Sequence, residues 1–528
     1  MKQDSIFLNC ILIEGFQKEP PLNILYKEWR LLAEQIEERK NVKLIREERI
    51  KEIEELRKKG IDPFGRRFAG KQPIKEVIEK FDKIASEEPS SEKVVIAGRI
   101  KALRKHGKAI FADLEDQTGK LQIYVKSNFI GVDSFEIFKK ISVGDIVGIT
   151  GLVFKTRTGE LTVLATLFSL LCKTIRTLPE KWHGLTDTEL RYRKRYLDLI
   201  SNPETRELFI ERSKIIRYIR DFLDNKGYLE VETPVLQPIP GGATATPFVT
   251  HHFSLHRDLY LKIAPELYLK RLLVGGMEKV YELNRNFRNE GISTKHNPEF
   301  TMLELYEAYA DYQVMMEIAE EMICDILKKL KRNLIIQYQG QNIDFTPPWK
   351  KLTMYEAIEL VTSINPQQVE EKDLGNLINK FQLEVPEKAT KGEVINELFE
   401  KQVEHTLVQP TFITDYPIEV SPLSKQKPDN PHLVERFELF INGMEIANAF
   451  TELNDPIEQK RRFLLQAKNK SEGEINQNFI DYDYIEALEY GMPPAGGMGV
   501  GIDRLVMLLT NRDSIREVIL FPQLKKKD

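Results

Sequence analysis

The feature that most restricts the fold of this chain is a change in apolar periodicity. From residue 93 to residue 175, apolar residues recur at alternate positions in five short runs: VVIAGRI, AIFADLED, KLQIYV, DIVGITGLVF and LTVLATLFSLL. Turns bearing glycine, such as Thr118-Gly119 and Thr158-Gly159, separate them. Alternation of this kind half-buries a strand, because successive side chains point to opposite faces. Five such strands in roughly 80 residues suit a small closed barrel. From residue 209 the period becomes helical. Phe209, Ile215, Ile216, Ile219, Phe222 and Leu223 share one face, and Gly227 stands where a C-cap belongs.

After that helix, YLEVETPVL reads as a strand, with Pro234 restricted to an edge or bulge. Strand-like and helical segments then alternate to the C-terminus. A helical stretch at 312–333 and a charged one at 366–405 are expected at the rim. The expected organisation is an N-terminal extension at 1–40, a helical segment at 41–92, the barrel at 93–175, a linker at 176–208 and a large domain at 209–528. A long charged helix over 24–59, ending at Gly60, bridges the first two and is either solvated or turned toward RNA.

The 528 residues exceed one ordinary core. With 41% hydrophobic and 30% charged residues, the composition is that of a globular protein. A formal net charge of −4 gives no global attraction to nucleic acid, so any such contact must rest on a local patch. The barrel segment carries one: Arg99, Lys101, Arg104, Lys105, His106 and Lys108, followed by Phe111. Barrels of the OB type bind single strands through exposed aromatics and basic side chains. The competing reading puts Phe111 in the barrel core beneath a polar rim. Cys10, Cys172 and Cys324 fit neither a disulfide framework nor a zinc spacing, which suggests a reducing compartment. No apolar run reaches about 18 residues, so no membrane span is expected. The apolar start, Ile6 to Ile13, lacks a cleavage site and meets Glu14, Lys18 and Glu19, unlike a signal peptide. GRRFAGKQ nearly spells a P-loop, but Gln72 replaces the required hydroxyl and no strand precedes it.

Three clusters carry chemistry. FRNEGISTKHNPEFTMLE, from Phe287 to Glu304, sets Arg288, Glu290, Lys295, His296, Phe300 and Glu304 in one hairpin-sized segment just after Arg285. Arginine forks grip phosphate, an aromatic stacks on a purine, and carboxylates take amino groups or magnesium. A charged surface hairpin is the alternative. RFELFINGMEIANAFTELND, from Arg436 to Asp455, places Glu438 and Glu445 on either side of an Asn442-Gly443 hairpin turn. Opposite each other on paired strands they would cradle magnesium; otherwise they are exposed strand glutamates. GMPPAGGMGVGIDRLVMLLT, from Gly491 to Thr510, runs from a glycine-rich strand into a helix that starts near Arg504. Its G-x-G-x-G spacing has Ile502 where a dinucleotide fingerprint needs its third glycine.

In this order, the helix and strand ending at Pro234, the FRNE hairpin and the GxGxDR strand-helix resemble the three signature motifs of class II aminoacyl-tRNA synthetases. The strings GGATATPFVTHH, YLKIAPELYLKRL, NRNFRNEGIS, HNPEFTMLELYEAY, TELNDP and EYGMPP are most similar to class II lysyl-tRNA synthetases of the bacterial type, from about residue 42 to 523. The implied fold is α+β and multidomain: an N-terminal OB-fold β-barrel, then a catalytic domain with a mixed, mainly antiparallel sheet flanked by helices. The pocket's acids and phenol also suit an ε-ammonium, which has three donors and no acceptor.

The resemblance implies ATP-dependent activation of L-lysine and its transfer to tRNA(Lys), with Mg²⁺, in a cytoplasmic homodimer joined through 209–237. Carried over by resemblance, Gly242 and Glu266 hold the α-amino group, and Arg288 and Asn448 the carboxylate. Glu452 and Tyr306 take the ε-ammonium, with Glu304 beside them. Phe300 and Arg504 sandwich the adenine, Glu290 reads its amino group, and His296 and Asn297 lie near the phosphates. Glu438 and Glu445 are the magnesium ligands. In the barrel, Phe111 stacks on an anticodon base, while Arg99, Gln122 and Glu160 read base edges. His256, Arg257, Ala447 and Ala449 depart from the family pattern, and the extra methyls are expected to tighten the pocket. The rivals are the same class acting on aspartate or asparagine, a paralogue that modifies a protein, and a nucleic-acid-binding protein with a dead catalytic domain.

Overall fold

The computed structural model describes residues 41–84, 88–179, 185–243, 245–469 and 480–526. The expectations for residues 1–40, including the first part of the charged helix, lie outside them. The chain divides into two compact units, 1–182 and 183–528.

In the first unit, a helix over 41–58 ends at Gly60, whose φ of +74° only glycine adopts without strain. Five strands follow: β1 (Lys93–His106), β2 (Ala109–Glu115), β3 (Lys120–Lys126), β4 (Ile146–Lys155) and β5 (Leu161–Cys172). They close in the order β1-β2-β3-β5-β4, with only β3 and β5 parallel. Alternation sends Ile96, Ile110, Ala112, Leu114, Ile123 and Val125 into the barrel core. Phe111 falls on the opposite face of β2, so it is not part of that core. Two short helices over Ser127–Ile130 and Val132–Lys139 intervene before β4 and add Phe135 and Phe138 to the core.

The second unit is built on an eight-stranded sheet. The expected single strand after the helix Pro203–Asn225 is split into β6 (Leu229–Glu230) and β7 (Leu236–Gln237). Pro234, which has no N–H to give a ladder, lies in the gap. β7 joins β8 (Val249–His252) and β9 (Arg257–Leu261) in a small sheet of its own. The remaining strands are β10 (Lys279–Phe287), β11 (Glu299–Ala308), the hairpin β12 (Ile335–Tyr338) and β13 (Gln341–Asp344), β14 (Lys350–Thr353), β15 (Thr411–Pro417), β16 (Leu433–Ile441), β17 (Met444–Thr451) and β18 (Ala495–Gly501). The large sheet runs β14-β15-β16-β17-β18-β11-β10-β6. Only its two outer pairs, β14–β15 and β10–β6, are parallel, so the sheet is mixed and mainly antiparallel, as expected.

One face of this sheet meets three helices, Pro203–Asn225, Tyr312–Lys329 and Ile502–Leu509. Ile215, Ile219 and Leu223, spaced four apart, are fully buried; each such side chain is worth about 2 kcal/mol of transfer free energy. The helix at 312–329 was expected at the rim. Instead Met315, Ile318, Met322 and Ile326 bury it in the main core. The segment 366–405 packs Val394, Ile395, Leu398 and Phe399 against Met354, Ile358, Ile413, Val434 and Phe440, in a second core shared with β15 and β16. Asp503 pins helix to sheet: it accepts from Thr301 N at 2.7 Å and stands 2.7 Å from the Arg212 guanidinium. The stretch expected as a linker contains two helices, Thr188–Arg193 and Arg195–Ser201. Its buried Arg195 pairs with Asp198 and donates to the carbonyls of Arg516, Ile519 and Leu520.

Candidate active site

Strand register builds the site on the other face of the sheet. Glu304, Gly499, Asn448 and Glu438 are cross-strand neighbours in one row across β11, β18, β17 and β16. Tyr306, Gly497, Phe450 and Arg436 form the next row. The residues between them, Leu303, Leu305, Met498, Ala449, Phe437 and Leu439, face the core. All eight row residues line a cavity of about 430 Å³. The glycines of β18 make room for it. A Cβ at Gly497 would collide with Glu452 Oε1 and the Tyr306 ring, and one at Gly499 would lie 2.6 Å from the Met302 methyl.

One end of the cavity is acidic. The helix Glu266–Val274 brings in Glu266 at its first turn, beside Gly242, which has a φ of +85°. The Tyr306 hydroxyl donates to Glu304 at 3.0 Å. Burial pushes the Glu304 carboxyl up to about 8, and the nearby Glu266 pushes the same way. Glu452 does not line the cavity. It is fully buried beside Tyr306, over the face of Gly497 that a Cβ would occupy, and is paired with Lys270. Burial raises its pKa as well, against the pull of Lys270.

The other end mixes charges. The Arg288 guanidinium lies 5.1 Å from the Phe300 ring centre, and its buried Nε has no partner among the described residues. Arg504 is directed elsewhere, to Glu445 (Oε2 at 3.1 Å) and His296 (Nε2 at 3.1 Å). Burial and the Arg504 charge hold the His296 pKa below its usual range. Arg436 donates to Asn448 Oδ1 at 3.0 Å and to Glu438 at 2.5 Å. With Oδ1 so occupied, the Asn448 amide nitrogen remains as a donor. Glu438 also accepts from Tyr416 at 2.9 Å, and burial together with Glu445 raises its pKa.

The magnesium expectation needs one correction. Glu438 and Glu445 are not opposite each other, because Glu438 pairs with Asn448 and Glu445 with Phe440. The register shifts between Leu439 and Phe440 and leaves Ile446 over as an extra residue. Both carboxylates nevertheless reach the cavity, as do Glu290, His296 and Asn297. The Asn442-Gly443 turn is as expected, with φ of 51° and 62° at its two centres. Ala447 and Ala449 both pack in the core, and Ala447 lines the cavity as well. His256 and Arg257 sit in the β8–β9 hairpin, outside the cavity lining.

Asn396 and Glu400 also line the cavity, from the helix Lys391–Gln402, together with Lys295 and Asp503. The sequence marks 391–402 only as part of a charged segment, and no local signal shows that it reaches residues some 40 positions further on. Among the described residues no group of three or more His, Cys, Asp or Glu side chains is arranged to hold a metal.

On the barrel, Phe111 stacks on Tyr124 with ring centres 4.5 Å apart, and Tyr124 meets Phe154 edge-on. Gln122 lies next to them, donating to Glu160 at 2.7 Å and accepting from Thr162 at 3.0 Å. Arg99 is on the same barrel face, further along β1 from Phe111 than Arg104 is. It pairs across the strands with Glu115 and donates to the Gly144 carbonyl. Arg104 is the direct cross-strand partner of Phe111, and its guanidinium stands 2.6 Å from Asp113. Sequence reading placed Arg104 in the basic patch but gave the edge-reading role to Arg99. Pairing register, which local sequence does not display, distinguishes the two.

A sheet of this topology with a cavity floored by a glycine strand, plus a five-stranded barrel, defines a class of enzyme. The family described as tRNA synthetases class II (D, K and N) matches residues 187–525, and the OB-fold nucleic acid binding domain matches residues 94–171. The chain belongs to this class II tRNA synthetase family. Its similar relatives are more particular. A lysine–tRNA ligase of Carboxydothermus hydrogenoformans is 56% identical over 488 residues, covering 91% of this chain and 98% of that protein. Those of Syntrophomonas wolfei and Bacillus subtilis are 51% and 52% identical, over 92% and 90% of this chain and 98% and 96% of their own lengths.

The raised Glu304 pKa has a consequence for stability. From its ordinary 4.5 to about 8, the folded protein keeps a proton that the unfolded chain has released. Folding stability must therefore fall as pH rises through that interval. Thermal unfolding of the empty protein should show this fall, and Glu304→Gln should flatten it. An identical pH slope in the variant contradicts the assignment.

Proposed function

We infer that this chain activates L-lysine with ATP and transfers it to the 3′ end of tRNA(Lys). The observation that carries the amino-acid choice is the acidic end of the cavity. Glu266, Glu304 and the Tyr306 hydroxyl line it, beside the partnerless Arg288 Nε. Lysine brings two ammonium groups and one carboxylate, which matches that set of acceptors and donors. Aspartate would need a cation aimed at its side chain. Lys270, which adjoins this end, is fully buried and already held by two carboxylates. The relatives, all named lysine–tRNA ligases, support the same choice.

In the first step a lysine carboxylate oxygen forms a bond to the α-phosphorus of ATP, and the bond to pyrophosphate breaks. In the second, the 3′-terminal hydroxyl of the tRNA attacks the acyl carbon, and AMP leaves. Neither step needs a protein nucleophile, so catalysis rests on positioning and charge stabilisation. Gly242 and Glu266 take the α-amino group; Arg288 and the Asn448 amide take the carboxylate. Glu452 and Tyr306 take the ε-ammonium, with Glu304 beside them. Phe300 supplies a stacking face for adenine, which Arg504 closes by leaving His296, and Glu290 reads the exocyclic amine. His296 and Asn297 stand by the phosphates.

The residues present fit magnesium. Glu438 and Glu445 both face the cavity, and the Glu445 charge helps to raise the Glu438 pKa, a repulsion that a cation between them would relieve. Bound there, Mg²⁺ would neutralise phosphate charge.

The aromatic group Phe111, Tyr124 and Phe154 suits stacking on unpaired anticodon bases, with Gln122, Glu160 and Arg104 at its border. A homodimer through residues 209–237 accords with the exposure of Leu229 and Leu236, 52% and 46%. Free Cys172 and Cys324 accord with a cytoplasmic site of action.

Arg288→Ala should lower lysine-dependent ATP–pyrophosphate exchange about 100-fold or more, as loss of a transition-state donor does. Near-normal exchange would remove Arg288 from the mechanism. Phe111→Ala and Arg104→Ala should leave exchange intact while raising the tRNA KM of aminoacylation about tenfold. Arg99→Ala should change it least, and an equal effect at Arg99 contradicts the register argument. Sedimentation should give a particle of twice the 61.4 kDa chain mass; a monomer at working concentration would exclude the dimer.

A further inference from the structure

Behind the acidic end of the cavity lies a cation that the proposed reaction does not use directly. Lys270 is fully buried, four residues after Glu266 on the same helix. Its Nζ is 2.6 Å from Glu266 Oε1, in contact with Glu452 Oε2, and 5.1 Å from the centre of the Phe450 ring. Glu266 and Phe450 line the cavity, and Lys270 does not. A buried ammonium is costly unless closely paired, so its place between two carboxylates is a built arrangement.

The surrounding groups can be counted. Glu266 and Arg271 come from the helix of Lys270 itself, Glu452 follows β17, Glu304 and Tyr306 come from β11, Glu282 from β10, and Tyr484 from the helix Tyr482–Glu489. The Tyr484 hydroxyl is buried without a partner among the described residues. Arg271 is spent on Asp481 and Asp483, and Glu282 on Lys262 and Thr233. That leaves three carboxylates, Glu266, Glu304 and Glu452, against two cations, Lys270 and Arg288. Fully ionised, the group carries one net negative charge, and a lysine substrate carries one net positive charge.

We propose that Lys270 is a positioning residue of the amino-acid subsite, whose ammonium holds the carboxylates of Glu266 and Glu452 in place to receive the two ammonium groups of the substrate. Without it, three carboxylates face one another across a few side chains in a poorly solvated space. Burial already pushes the Glu452 carboxyl toward its neutral form against the pull of Lys270, and loss of that cation favours the neutral acid further. A protonated carboxyl accepts a substrate ammonium poorly, so lysine binding weakens. Raising the pH removes that proton and restores the acceptor. The defect of a variant lacking the charge is therefore a function of pH, and it falls on lysine and not on ATP, which binds at the other end of the cavity.

The inference rests on the lysine reading, and the test separates the two. Exchange by the wild-type enzyme with lysine establishes that reading by itself. Lys270→Met and Lys270→Gln are then measured in the full chain for the KM of lysine and of ATP at neutral pH and at about pH 9. The ratio of lysine KM, variant over wild type, is expected to be about tenfold or more at neutral pH, the equivalent of one pKa unit, and to shrink toward one at the higher pH. Taking the ratio cancels the titration of lysine's own amines. The ATP KM ratio should stay near one throughout. A lysine ratio that is the same at both pH values, or equal to one at neutral pH, overturns the proposal. So does failure of both variants to fold, which would make Lys270 a requirement of the core. Absence of lysine-dependent exchange in the wild type would instead remove the functional reading.

Discussion

The structure depends most on the antiparallel register of β16, β17, β18 and β11. Alternation along each strand sends one set of side chains into a shared core, and register aligns the other set in rows. That single constraint brings Glu304, Asn448 and Glu438 together from three separate parts of the chain. It also explains the glycines of β18. With Tyr306 and Met302 on the next strand pointing the same way, any side chain at Gly497 or Gly499 would fill the space the cavity occupies. Asp503 secures the arrangement by joining β11 to two helices at once.

On this scaffold, electrostatics divides one cavity into two subsites. At the acidic end, buried carboxylates outnumber cations, and burial holds some of them protonated while the protein is empty. A cationic guest is thus favoured by charges that the folded protein tolerates at a cost. At the other end Arg288, Arg436, Arg504 and Lys295 alternate with Glu438, Glu445 and Glu400. Several of these cations are paired in the empty protein, as Arg504 is with Glu445 and Arg436 with Glu438. Binding of a polyphosphate would exchange those partners for phosphate oxygens, and magnesium would take up the released carboxylates.

Local pattern made much of this legible. Alternation predicted the barrel, the Asn442-Gly443 pair its hairpin, and the glycine run with Arg504 its strand and helix. What local pattern does not carry is pairing. Phe111 reads equally well as core or surface until the pairing places Ala112 inside the barrel and Phe111 outside it. Arg99 and Arg104 are indistinguishable in sequence until Phe111 is paired with Arg104. Glu438 and Glu445 flank the turn, yet one extra residue in β17 keeps them from facing each other. Lys270 lies in the string YLKIAPELYLKRL, yet nothing in that string assigns it a role, since a lysine on a helix usually reads as solvated. Glu452 lies in a diagnostic string, but its place over Gly497 and beside Tyr306 follows from how the strands pack.

The central claim is that the acidic end of the cavity chooses the amino acid by charge. The most direct measurement is ATP–pyrophosphate exchange by the purified wild-type chain, run with each proteinogenic amino acid in turn. The account predicts exchange with lysine and none above background with aspartate or asparagine. Exchange driven by either of those two, with lysine silent, would contradict it.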